Sequence, residues 1–362
     1  MSQLFSPLKI KDVSFKNRIG VSPMCQYSAV EGIVNDWHMV HLGSRAVGGA
    51  GFIMAEATAV TRDGRITPGC VGIWNDEQVD ALVPITRFIE QQGAVPGIQI
   101  SHSGRKGSAA SPWDGGQHLK NSEGGWDIMA PGNEPFDNDG LRLWKTPRQM
   151  TTSDIEQTQT AFVEAAKRSL AAGYKLLEIH SAHGYLLHSF FTPLINKRTD
   201  DYGGSLENRA RMLLEITEKV RAVWPENLPL AVRLSVSDWD DNGLDVDDNI
   251  QMTKWLKDRG VDIIDCSAGG ASPASRSSIG SRTSDQIGLA ANIRQSADIM
   301  TMAVGTITDP HQAEAIIANG QADIALLARE MLRDPYWPFH AAQALGADTK
   351  KIMPVQNGFF VG

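Results

Sequence analysis

Short apolar runs recur along the chain, each followed by a longer segment in which apolar positions return at helical spacing. The runs Ile19–Pro23, Phe52–Thr58, Ala94–Ser101 and Leu176–His180 read as the first four strands. Pro229–Ser235, Asp262–Ser267, Ile299–Gly305 and Asp323–Ala328 complete eight. Runs this continuously apolar fit strands covered on both faces, which is the situation in parallel sheets. Eight repeats of strand then helix are the number that closes a barrel. The expected fold class is therefore α/β, a single (β/α)8 TIM barrel.

The intervening segments carry helix signals. Ser153 and Glu156 read as a capping-box pair opening a helix to Ala172, with Gly173 as the stop. Ser205 reads as an N-cap, and Leu206, Ala210, Leu213, Leu214, Thr217 and Val220 then recur on one face. One stretch breaks the rhythm. Residues 103–150 are rich in Gly, Pro, Asn and Trp and read as an insertion after strand three, hanging over the barrel mouth. The tail, 346–362, shows no periodicity, and Phe359–Phe360 is its apolar feature. No linker interrupts the pattern, so residues 1–362 are expected to form one domain.

Composition narrows the field. The formal charge is −8, from 34 basic and 42 acidic side chains, with no basic run. That balance speaks against nucleic acid or an anionic membrane as partner. The three cysteines, Cys25, Cys70 and Cys266, are too few for a four-cysteine iron–sulfur site and too scattered for a secreted disulfide framework. With no apolar signal core and no membrane-length apolar stretch, the expected location is the cytoplasm.

In a barrel of this kind the chemistry sits at the C-terminal ends of the strands and in the loops beyond. The residues falling there are Cys25, Ala57, Gln99, His180, His183, Tyr185, Arg233, Gly305, Ala328 and Arg329. Cys25 alone also reads as a small buried core residue. Gln99 and Arg233 lie on apolar strands, where burying them costs free energy unless they are paired, and a structural ion pair would serve Arg233 equally well. Gly305 and Arg329 follow the last two strands, the usual position of a barrel phosphate site. His180 and His183 have three readings. No third ligand stands at a zinc spacing, so no metal is expected. A structural role, or joint donation to one substrate oxygen that becomes enolate-like, remains. Tyr185 beyond them is either a packed aromatic or a proton donor.

These residues carry a resemblance. The segment HSAHGYLLHSFFTPLINKRTDDYGGSLENR, His180–Arg209, resembles the signature of the Old Yellow Enzyme family of flavin oxidoreductases. The runs Leu4–Pro7, Lys16–Ile19, Pro23–Tyr27, His102–Lys106, Pro147–Thr151 and Arg333–Pro335 agree, so the likeness extends from about residue 4 to 345. Cys25 with Tyr27 is similar to the bacterial branch that holds xenobiotic reductase and the thermophilic-type ene-reductases. The resemblance implies tightly bound, non-covalent FMN, NADPH or NADH as hydride donor, and reduction of the activated C=C bond of α,β-unsaturated carbonyl or nitro compounds. It implies that Pro23, Met24 and Cys25 line the flavin, with the Cys25 thiol near its N5–O4 edge. Ala57 and Gln99 would contact the pyrimidine ring, Arg233 would face N1 and O2, and Gly305, Ala328 and Arg329 would hold the phosphate. His180 and His183 would bind the substrate oxygen, Tyr27 would position substrate, and Tyr185 would supply the proton that completes hydride transfer from flavin N5. A homodimer or homotetramer is implied as well. Two features depart from the family pattern: Ala328 stands where glycine is usual, and no Trp or Arg follows Lys351 to reach a neighbouring subunit's site. The competing readings are a phosphate-binding barrel lyase or isomerase without flavin, a larger iron–sulfur dienoyl-CoA-type reductase, and a flavin-binding module without turnover.

Overall fold

The structure, a computed structural model, describes residues 2–137, 143–274, 282 and 285–361. Its centre is a closed barrel of eight parallel strands. They are β1 (Ile19–Val21), β2 (Phe52–Ala59), β3 (Val95–Ser101), β4 (Leu176–Ser181), β5 (Leu230–Ser235), β6 (Ile263–Ser267), β7 (Met300–Ala303) and β8 (Ile324–Leu327). Each pairs with its neighbour in sequence, and β8 closes on β1 through Ala325–Ile19 and Leu327–Val21. All eight expected strands are present, with ends shifted by at most two residues. Almost every strand position is buried, because the barrel lumen lies on one side and the helices on the other.

The helical layer shows why the pattern forms what it forms. In the helix Leu206–Val223, Ala210, Leu213, Leu214, Thr217 and Val220 are buried, and the Ser205 side chain accepts from the Asn208 N–H as expected. The neighbouring helix, Thr152–Ala171, is capped two residues earlier than its sequence suggests. Thr151 is the N-cap and Asp154 its partner, so the expected Ser153–Glu156 box is corrected. Asp154 also holds Arg148 at 2.7 Å, which Glu156 does not. A second cation partner decided between two boxes of similar sequence quality. Gly173 follows at φ +92°, a conformation that favours glycine.

An antiparallel hairpin, Leu8–Ile10 with Val13–Phe15, precedes β1. Phe15 packs edge-on against Phe52 at the start of β2, with 5.7 Å between ring centroids. After β3 the chain makes the expected excursion. Among its described residues are three short 3-10 turns and one two-residue parallel pair, Met129–Ala130 with Arg148–Gln149. The tail, whose sequence shows no periodicity, is helical over Val355–Val361, with Phe359 and Phe360 exposed. Among the described residues no helix is long and apolar enough to cross a membrane.

Candidate active site

Inward-facing positions alternate along each strand, and near the C-terminal ends they turn polar. Glu178 and His180 on β4, Arg233 and Ser235 on β5, Asp265 and Ser267 on β6, and Gln99 and Ser101 on β3 share this inner face. Register sets them side by side: Gln99 lies beside Glu178, His180 beside Arg233, and Arg233 beside Asp265. This is the convergence the scattered sequence positions require.

Beyond β4 the backbone turns at His183, which sits at φ +61°, a region costly for a residue with a side chain. Surrounding contacts hold it there. The His183 N–H donates to Ser235 Oγ at 2.9 Å, and its Nε2 lies 2.7 Å from Ser267 Oγ. Lys106 Nζ donates to the carbonyls of His183 and Gly270, both at 2.6 Å, and so ties the loops after β4 and β6 together. Gly270, at φ +93°, must be glycine, because a Cβ would lie 2.7 Å from the His183 Cα. The His180 ring meets His183 and Tyr185 edge-on, each with 5.1 Å between centroids. Burial and the Arg233 charge push both imidazoles well below the ordinary histidine range, so they are neutral at pH 7. His180 Nδ1 is buried without a hydrogen-bond partner among the described residues.

Two cavities open at this end of the barrel. The larger, about 610 Å³, is bounded by Tyr27, Lys106, His183, Tyr185 and Gly270, and roofed by Ala109, Pro112, Phe136 and Trp144 of the insertion. The smaller, about 340 Å³, is bounded by Arg233, Ser267, Gly305, Ala328, Arg329 and Arg333. The His183–Ser267 contact joins the wall of one to the wall of the other. Gly305 adopts φ +133°, whereas Ala328 lies at φ −110°, so its methyl group brings no backbone strain. Gly305, Ala328 and Arg329, expected together from the sequence, are brought together. Their backbone groups and the guanidiniums of Arg329 and Arg333 suit an anionic phosphate.

Pro23, Met24, Cys25 and Tyr27 form a half-buried run after β1. The Ala57 backbone and the Tyr27 hydroxyl are in hydrogen-bonding reach of the Cys25 sulfur. Burial and nearby Glu56 push the Cys25 thiol up, so it is protonated at neutral pH. A register shift between Ala55 and Ala57 sets Ala57 opposite Gln99 and leaves Glu56 unpaired in the ladder. Burial raises Glu56 to about 8.

Arg233 does carry an ion pair, with its Nε 3.2 Å from Asp265 Oδ2, and its Nη1 donates to Ser22 Oγ at 3.3 Å. One amide N–H of Gln99 is taken by Glu178 at 2.7 Å, leaving the other N–H and the carbonyl oxygen. Glu178, Asp265, Ser267 and Lys106 belong to this constellation, although the sequence reading did not single them out. The signal for the two acids was there: each is a carboxylate inside an apolar strand, subject to the same burial cost that drew attention to Arg233.

The NADH:flavin oxidoreductase / NADH oxidase family model matches residues 3–348. A "NADPH dehydrogenase" of Bacillus licheniformis is 47% identical over 356 residues, covering 98% of this chain and 97% of the relative. The solved Old Yellow Enzyme homologue from Zymomonas mobilis superposes with a TM-score of 0.76 at 25% identity, covering 94% of this chain and 93% of that one. A 2-naphthoyl-CoA reductase, solved with 2-naphthoyl-CoA, superposes at 0.84 with 26% identity. This chain spans 97% of its own length in that match but only 53% of the reductase.

Proposed function

Because the chain belongs to the NADH:flavin oxidoreductase / NADH oxidase family, and is thus an FMN oxidoreductase fed by a nicotinamide donor, we propose that it is an ene-reductase acting on α,β-unsaturated carbonyl or nitro compounds. One observation carries the reading: His183 and Tyr185 line a substrate-sized cavity with the His180 ring edge-on to both, and His183 touches Ser267, which lines the neighbouring phosphate-suited cavity.

Bound FMN would accept hydride from the nicotinamide and return it to the β carbon of the substrate. In this proposal Gly305, Ala328 and Arg329 receive its phosphate, and Arg233 faces the pyrimidine edge with Gln99. The Pro23–Cys25 run and the Ala57 backbone line the ring. His180 and His183 hold the substrate oxygen. Their neutrality suits this task, since each then offers one N–H as a fixed donor to an oxygen gaining negative charge. Tyr185 stands beside them and donates a proton to the α carbon. Tyr27, in the same cavity wall, positions the substrate. The insertion residues Phe136 and Trp144 give the cavity an apolar side, which suits carbon-rich enones.

The test is spectroscopic. Purified protein is expected to be yellow, to bleach with anaerobic NADPH, and to regain colour when cyclohexenone is added. A phenol is expected to give a long-wavelength charge-transfer band that the His180→Ala/His183→Ala variant loses. An unchanged phenol titration in that variant removes the oxygen-binding role. Protein that bleaches but is not reoxidised by any enone or nitroalkene removes the substrate class.

A further inference from the structure

Beneath the wall formed by Arg233 lies a charge arrangement that the proposed chemistry does not use. Glu178 and Asp265 are wholly buried in the barrel lumen, with Arg233 and Gln99 nearly so. Two carboxyls thus face one guanidinium. The two acids are close enough that each shifts the other's protonation. Yet Glu178 Oε2 and both oxygens of Asp265 lack a hydrogen-bond donor among the described residues. Two ionised carboxylates there would leave an uncompensated buried charge, which costs several kcal/mol. A single proton between them removes that charge and gives one oxygen of each acid a partner.

The surroundings agree. Gln99 on β3 presents a neutral amide, Ser22 beyond β1 a hydroxyl, and Arg233 on β5 a cation paired with Asp265. Cys266, beside Asp265 on β6, is a protonated thiol, and His180 and His183 above are neutral. Burial pushes both acids upward.

We propose that Glu178 and Asp265 share one proton while the flavin above them is oxidised, and bind a second from water when negative charge arrives over Arg233. The nicotinamide's hydride brings two electrons and one proton to the site. The additional proton comes from solvent and goes to Asp265. Arg233 is thereby released from its ion pair to face the new charge. When the substrate takes the hydride away, that proton returns to water. Glu178 and Asp265 are positioning residues, acting through Arg233. The inference rests on Arg233 facing the flavin's pyrimidine edge.

Midpoint potential against pH in the FMN-loaded protein reads the second proton. Each proton bound per two electrons contributes about 30 mV per pH unit. The wild-type slope between about pH 6 and 8 is expected near 60 mV, and that of Asp265→Asn near 30 mV. Glu178→Gln, whose amide replaces the protonated acid, is expected to keep the steeper slope. A wild-type slope near 30 mV, or one that Asp265→Asn leaves unchanged, overturns the proposal. Infrared spectra of the apoprotein at pH 7 read the first proton without flavin. A protonated-carboxyl band lost in Glu178→Gln is expected, and its absence from wild type also overturns the proposal. Should the band be present while the wild-type slope is shallow, the fault lies in the placement of Arg233. If Asp265→Asn fails to hold FMN, the wild-type slope and the band decide.

Discussion

Tyr185 shows how much a single side chain draws from its neighbours. Its ring stands edge-on to His180 and borders the larger cavity together with His183. A phenol so placed can deliver a proton only to a molecule held by the imidazoles, so its loss should touch one half of the cycle. Tyr185→Phe is expected to slow cyclohexenone reduction by about 100-fold, the lower end of what a positioned acid contributes. Bleaching of the flavin by NADPH should be nearly unchanged. Stopped-flow measurement of the two half-reactions separates them, and equal slowing of both refutes the proton-donor role. The imidazoles need no such protonation change, because burial and Arg233 keep them neutral throughout the working range.

Elements set these residues in place, and their ends matter as much as their interiors. The helix Thr152–Ala171 begins the stretch that leads into β4, the strand carrying Glu178 and His180. Its cap is Thr151 with Asp154, and the Arg148 guanidinium draws that carboxylate well below its usual range. Thr151→Ala is therefore expected to cost about 1 kcal/mol of stability. Ser153→Ala, on the exposed first turn, should stay within about 0.5 kcal/mol. Urea unfolding of the two variants checks the assignment, and the reverse order would restore the Ser153 cap. The loops after β4 and β6 are likewise interlocked, since Lys106 binds carbonyls of both and Gly270 leaves room for His183.

At the scale of the whole molecule, buried neutral histidines govern the response to acid. His38, His41, His102, His118 and His180 are all buried, and burial lowers every one, His38 to about 4 and His41 to about 3. Each binds a proton more tightly unfolded than folded. Its contribution to stability is complete above the unfolded value near 6.5 and declines as pH falls toward the folded one. Glu56, Glu178 and Asp265 act in the opposite direction, since burial raises them. With His183, which burial also lowers, six groups oppose three, and each is worth at most about 1.4 kcal/mol per pH unit. Lowering pH from 6.5 to 5.5 is thus expected to cost the apoprotein about 2–3 kcal/mol. A urea midpoint equal or higher at pH 5.5 contradicts this balance.

What the sequence determined by itself was the repeating unit. Eight buried runs at near-regular spacing, each followed by an amphipathic helix, leave a closed parallel barrel as the way to cover both faces of every strand. Because such barrels work at one rim, His180, His183, Tyr185, Arg233, Gly305 and Arg329 were legible as neighbours before any coordinates. Pairing across the lumen was not legible. That Gln99 gives an N–H to Glu178, that Arg233 meets Asp265, and that Ser267 reaches His183 depends on strand register and barrel shear. These relations join residues from 32 to 84 positions apart, and no local pattern encodes them. The left-handed turn at His183 was likewise decided by partners brought in from elsewhere in the fold. Local periodicity follows from the chain's own geometry, whereas the partner of a buried charge is known only once the space around it has closed.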